Sequence, residues 1–341
     1  MKPNEYFDMV CLCMKNNFTA MVVGPPGGGK TEITKQACKH MKRELIITHP
    51  VIDDPTNYKG FPFKEVDKDG NMKADFIPFG FLRKLMEADK PTTLFMDDMG
   101  QAPKATQAAG MQLLWGGMLN GKEISPHVSF VVATNRREDK AAVTGMIEPL
   151  KNRAIIMNLE TDVDDWCRWA IAAGQPPENI AFNRYRKEHL TNGYKATLDF
   201  TNSATPRTIA TCGELFLAGI PKKIEREVYE GAAGKKFAVD FSNFLAHYRR
   251  LPNIQDIINK PDKVNIPDES SILYATCEAL AAQATKDNFD SIMTFGKRLH
   301  EEFHMMLVRD SVIHNDDVCK TTSFIQWQAQ NQDILLFTGQ N

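Results

Sequence analysis

The chain has 341 residues, about two domains at roughly 150 residues each, and its 43% hydrophobic and 25% charged composition is that of a globular protein with its own core. Its 41 basic and 43 acidic residues leave a net charge of −2, so no global positive field points to nucleic acid or to an anionic membrane. The 7 scattered cysteines lack zinc-finger spacing and exclude a disulfide-stapled scaffold, and no apolar run reaches the roughly 18 residues that cross a bilayer. The opening stretch MKPNEYFDMVCLCMKNNF is interrupted by charges, unlike a secretory signal, so a reduced, cytoplasmic setting is expected.

In chain order, short β-branched or apolar runs alternate with helical patterns: TAMVVG (19–24), ELIITH (44–49), TTLFMDD (92–98), VSFVVATN (128–135) and AIIMNL (154–159). Such alternation predicts an α/β domain on a largely parallel five-stranded sheet over residues 1–158. Between the second and third runs, Tyr58 to Phe81 reads as a hairpin-like insert near 58–80 that turns at Asp69-Gly70. Phe76, Phe79 and Phe81 are expected to pack inward, and residues 64–75 to form an exposed, partner-contacting tip. From about residue 160 the β runs stop and helical periodicity takes over, including one long pattern from FDSIMTFG to HMMLVRD. A Pro-rich polar stretch, 251–270, is expected to connect helical parts at 159–250 and 251–341.

Gly24-Pro25-Pro26-Gly27-Gly28-Gly29-Lys30-Thr31 fits G-x-x-x-x-G-K-[ST], between a strand and the helix-forming TEITKQACKHMK. Glycines let successive N–H groups face one concavity, and the following helix N-terminus adds its dipole, so the loop favours phosphate. Lys30 is placed to reach the β- and γ-phosphates of ATP, and the Thr31 hydroxyl to hold Mg²⁺. The third run ends in Asp97-Asp98, which has Walker B character: Asp97 for Mg²⁺, Asp98 to orient and deprotonate the attacking water.

Together these motifs resemble the AAA+ ATPases, and within them the MoxR-type branch. The resemblance covers about residues 18–215, with specific motifs. It implies a P-loop AAA+ core followed by an all-helical lid and a helical C-terminal extension. It also implies that Asn135 is sensor 1, on a strand lying between the P-loop strand and the Walker B strand. Pro149-Leu150-Lys151-Asn152-Arg153 matches the position of an arginine finger, for which Arg153 is the candidate and Arg136, Arg137 and Lys151 are nearby competitors. Ala204-Thr205-Pro206-Arg207 resembles sensor 2: Thr205 can cap a helix, Pro206 suits its first position, and Arg207 would fold over the γ-phosphate. The family usually has Glu where this chain has Asp98, and a carboxylate shorter by one methylene predicts slow hydrolysis.

The resemblance implies a homo-oligomeric ring, a hexamer, that remodels or activates a client protein, beside a partner with a von Willebrand factor A domain. The alternatives are a nucleic-acid-associated P-loop ATPase of helicase-loader type, against which the near-neutral charge counts, and a nucleotide-gated ring with little hydrolysis. His300-Glu301-Glu302-Phe303-His304 formally fits H-E-x-x-H, but it marks no third ligand and carries an apolar stripe, so it reads as a packing helix. Asp162 is a candidate cap for the helix that carries Trp166 and Trp169.

Overall fold

The computed structural model describes residues 1–66, 72–114, 117–139, 145–197, 199–249, 251 and 253–331. The chain divides into two compact units, Met1–Thr161 and Asp162–Asn341.

In the first unit the five expected runs form the strands of one sheet. These are β1 (Ala20–Val23), β2 (Glu44–Thr48), β5 (Thr92–Met96), β8 (Val128–Thr134) and β9 (Ile155–Asn158). Their order is β2-β5-β8-β1-β9 and every pairing is parallel, which is the expected fold class. Alternation sends successive side chains to opposite faces. Met21, Leu94, Met96 and Val132 enter one apolar core, while Val22, Phe95, Val131 and Ala133 enter the other. The second core is closed by α1 (Pro3–Lys15) and α2 (Lys30–His40), the first by α4 (Phe81–Met86) and α5 (Lys104–Leu113). Two short helices, α3 (Thr56–Lys59) and α6 (Glu148–Lys151), complete the unit. With both faces covered, the central strands β5, β8 and β1 need the near-continuous apolar runs that made them visible in the sequence.

The insert is a two-stranded antiparallel hairpin of β3 (Phe61–Val66) and β4 (Met72–Ile77); its expected turn at Asp69-Gly70 lies outside the described residues. The inward packing expected of its aromatics holds only for Phe81, whose ring meets Tyr58 edge-on at 5.2 Å. Phe76, on β4, is 37% exposed because the ribbon carries its alternating side chains away from the core, and Phe79, on the link between β4 and α4, is 39% exposed. Helix α5 ends at Leu113, and Met118–Leu119 (β6) pairs with Lys122–Glu123 (β7). Asn120 and Gly121 between them both have positive φ, the requirement of a tight hairpin turn.

Among the described residues the second unit is all-helical. It runs through α7 (Val163–Ala172), α8 (Pro177–Tyr185), α9 (Glu188–Thr191), α10 (Pro206–Leu217), α11 (Glu225–Ala233) and α12 (Lys235–Tyr248). There follow α13 (Ile254–Asn259), α14 (Ser270–Ala282), α15 (Phe289–Gly296), α16 (Glu301–His314) and α17 (Thr322–Gln330). Asp162 caps α7 by accepting from Asp165 N–H, as its sequence position suggested. One core is built on the rings of Phe182, Phe237 and Phe241 and includes Trp166; a second gathers Leu280, Phe289, Phe295 and Leu307. The polar stretch 251–270 is more than a connector, since α13 lies within it and buries Ile257 in the second core. The long pattern expected from residue 289 to 310 breaks into α15 and α16, and Gly296 at the break lies so close to the His304 ring that a Cβ would come within 2.8 Å of it. No helix among the described residues is long and apolar enough to cross a membrane.

Helices α8, α14 and α16 are tied by a buried ion cluster. Arg184 reaches Glu278 at 3.2 Å and also Asp310, all three almost fully buried, and His314 meets the other Glu278 oxygen at 3.1 Å. Removing one member leaves an uncompensated buried charge. Arg184→Ala is expected to lower the stability of the chain by about 3–5 kcal/mol, read as a shifted midpoint in urea unfolding.

Candidate phosphate-binding site

Strands β1, β8 and β5 end at the same edge of the sheet: Val23 is opposite Thr134, and Met96 opposite Val132. Each is followed by a polar segment, respectively the loop Gly24–Gly29, Asn135 and Asp97-Asp98. Parallel sheets bind ligands at this carboxyl edge.

The loop returns to α2 through Gly27 and Gly29, at φ 70° and 94°, conformations that side chains rarely adopt. Gly24 is confined differently, since a Cβ there would lie 3.1 Å from the Leu159 carbonyl oxygen. Lys30 opens α2 with its side chain only 6% exposed, and its ammonium donates to the carbonyls of Gly24 at 3.0 Å and Pro25 at 2.9 Å and to Asn135 Oδ1 at 2.7 Å. Thr31 donates from its hydroxyl to Asp97 Oδ2 at 2.7 Å. Asp97 Oδ1 accepts from the Asp98 N–H at 3.0 Å, and Asp98 Oδ1 accepts from Asn135 Nδ2 at 3.2 Å. Lys30, Asn135, Asp98, Asp97 and Thr31 therefore form one connected circuit drawn from three strand ends and a helix start. Asp98 has a left-handed backbone, φ 57° and ψ 31°, and begins the 3₁₀ turn Met99–Gln101.

Thr34 and Tyr6 support the loop from behind. The Thr34 hydroxyl donates to the Lys30 carbonyl at 2.8 Å and meets the Tyr6 hydroxyl at 2.9 Å, and burial drives the Tyr6 phenol well above its ordinary pKa. Neither residue carries a motif signal, because a buried Tyr–Thr pair is set by how α1 packs on α2.

The four candidate arginines differ in their surroundings. Arg136 is committed to Asp139, at 2.8 and 3.1 Å, and to Glu138 at 3.2 Å. Arg137 is exposed on the short turn that follows. Arg153, just beyond α6, donates to the Pro149 carbonyl at 2.5 Å and lies 3.8 Å from the Met111 sulfur, while its neighbour Lys151 pairs with Glu148. Arg207 belongs to the second unit and stands exposed at the second position of α10, behind the expected Thr205 cap and Pro206. The circuit is made by first-unit residues alone.

A buried ammonium, glycine-shaped backbone and a helix start form an anion site matched to a polyphosphate. The Thr31 hydroxyl and Asp97 carboxylate, 2.7 Å apart, are hard oxygen donors of the kind Mg²⁺ takes in one or two protein positions beside phosphate. Those residues fit the ion.

No family model matches the chain, and no curated protein matches it. Among solved structures it is similar to the RuvB Holliday junction branch migration motor of Thermotoga maritima, at 14% identity over 82% of this chain and 80% of that one, with a TM-score of 0.38. It is also similar to NtrX from Brucella abortus in complex with ATP, at 11% identity over 99% of this chain and 68% of that one, with a TM-score of 0.42. The reading of the site rests on its own geometry.

Lys30→Ala removes the ammonium on which the loop closes. A fluorescent ATP analogue is expected to bind this variant about 10- to 100-fold more weakly than the native chain, the loss of one charge-assisted contact, with an unchanged far-ultraviolet circular dichroism spectrum.

Proposed function

We propose that the chain is an ATP-hydrolysing AAA+ protein of MoxR type, working as a homo-oligomeric ring, a hexamer, that remodels or activates a partner protein. The observation that carries this reading is the circuit from Thr31 through Asp97, Asp98 and Asn135 to Lys30, on a sheet in which β8 lies between the P-loop strand and the acidic strand.

In this reading the Gly24–Gly29 backbone and Lys30 hold the β- and γ-phosphates. Thr31 and Asp97 hold Mg²⁺, which neutralises phosphate charge when bound. Asp98 orients a water and takes its proton while the water oxygen forms a bond to the γ-phosphorus and the bond to the β,γ-bridging oxygen breaks, giving ADP and phosphate. Asn135 fixes the direction of the Asp98 carboxylate. Arg153 completes the site of a neighbouring subunit, where its charge offsets that on the transferred phosphoryl oxygens, and Arg207 keeps the sensor 2 role that its motif implies.

Arg153 is the finger in this reading by its place in Pro149-Leu150-Lys151-Asn152-Arg153, on the short segment beyond α6. The client is a protein in this reading because the net charge of −2 supplies no electrostatic footprint for nucleic acid. A von Willebrand factor A domain partner follows from the resemblance of the motifs, and the exposed Val66 and Met72 of the hairpin give such a partner an apolar surface to meet.

Two measurements test the proposal. Asp98→Asn is expected to keep ATP affinity within about 3-fold and to lower steady-state phosphate release by at least about 100-fold, as loss of a general base does; unchanged turnover would remove Asp98 from the mechanism. Lys30→Ala and Arg153→Ala chains, each inactive alone, are expected to regain turnover when mixed, one supplying the arginine and the other the nucleotide site. No recovery would exclude action of Arg153 across a subunit boundary.

A further inference from the structure

Gln107 lies in the N-terminal half of α5 with none of its surface exposed, and its carboxamide makes three hydrogen bonds. Its Nε2 donates to the Ala102 carbonyl at 3.0 Å and to the Gly145 carbonyl at 3.0 Å, and its Oε1 accepts from the Ile147 N–H at 3.0 Å. Ala102 closes the turn that starts at Asp98. Ile147 is the N-cap of α6, the helix that leads to Arg153. A single buried side chain thus bonds to backbone on both sides of the chemistry assigned above.

The same helix grips the Arg153 segment a second time. One turn beyond Gln107, Met111 places its sulfur 3.8 Å from Arg153 Nη1, and Leu150 of α6 is buried in the core that contains Leu113. Beside Met111, α5 also lies against the Asp98 turn so tightly that a Cβ at Gly110 would come within 2.5 Å of the Met99 side chain.

From this geometry we infer that Gln107 is a positioning residue for Arg153: it fixes the start of α6 on the rigid face of α5, so that the guanidinium is presented at a set distance from the acidic strand end. The inference rests on the proposed role of Arg153 in a neighbouring site. The Asp98 turn closes on itself through Gln101 N–H to the Asp98 carbonyl at 3.0 Å and Ala102 N–H to the Met99 carbonyl at 3.2 Å, so it keeps its shape without Gln107. The Gly145–Ile147 stretch takes two of the three Gln107 bonds and is the part that shifts. Displacement of a charge by about an ångström is enough to cost about 100-fold in rate.

Mixed subunits separate this role from a general structural one. Lys30→Ala chains serve as arginine donors and Arg153→Ala chains as nucleotide acceptors, and Gln107→Met, nearly isosteric but without hydrogen-bonding groups, is added to either. In the donor it is expected to lower the recovered ATP turnover about 10- to 100-fold; in the acceptor, by less than about 2-fold, with KM for ATP unchanged. Equal losses in donor and acceptor, or none in the donor, would overturn the inference. Gln107→Glu repeats the comparison should the methionine variant fail to fold, because it keeps the bond from Ile147 N–H and loses both donated ones. If donor and acceptor with native Gln107 recover no turnover, the trans role of Arg153 fails and the inference with it; recovery there, with no donor-specific loss, sinks the inference alone.

Discussion

The interaction on which the first unit depends is the burial of one ammonium. Lys30 is taken almost wholly out of water, and a bare charge in that position would cost several kcal/mol. The loop meets the cost by turning two of its own carbonyls, Gly24 and Pro25, onto the charge and recruiting the Asn135 amide from the next strand. This explains the backbone as well as the side chain. Carbonyls that face inward require a reversal before the helix, and the reversal requires the positive φ of Gly27 and Gly29. The same Asn135 amide that accepts from Lys30 donates to Asp98, so the cation and the acidic strand end stand two hydrogen bonds apart.

The sheet makes this possible by its order rather than by its size. With β8 seated between β1 and β5, three consecutive strand ends deliver a lysine loop, an amide and a pair of carboxylates to one edge, in the sequence in which they bond. Each strand is held on both faces by apolar cores, and burying a residue such as Phe95 contributes about 1.5–3 kcal/mol. The polar circuit is thus set on elements that cannot shift independently.

Much of this was legible in the residues. The five apolar runs became the five sheet strands, plainest at β5 and β8, where a strand buried on two faces has few polar positions to disguise it, and the loop motif stood between a strand and a helix as its chemistry requires. What escaped was decided by packing between distant segments. Phe76 and Phe79 look like core residues by type, yet one sits on a ribbon that leaves the core and the other on the link behind it; the pattern from 289 to 310 is continuous, but the helix breaks where Gly296 meets His304. Gln107 carries no motif, and two of its three partners are set by the return of the chain 38 and 40 residues later. Composition cannot show a hydrogen bond whose other half arrives from so far along the sequence.

The left-handed backbone at Asp98 gives the identity of that residue a different meaning. In sequence, this aspartate reads only as a carboxylate at the end of an apolar strand. At φ 57° the ordinary penalty on a side chain is smallest for glycine, asparagine and aspartate, whose short polar groups tolerate the conformation, and larger for glutamate. The residue and the twist of the chain are therefore matched: a position that must bend this way keeps a carboxylate at the end of the acidic strand with less strain when that carboxylate belongs to aspartate.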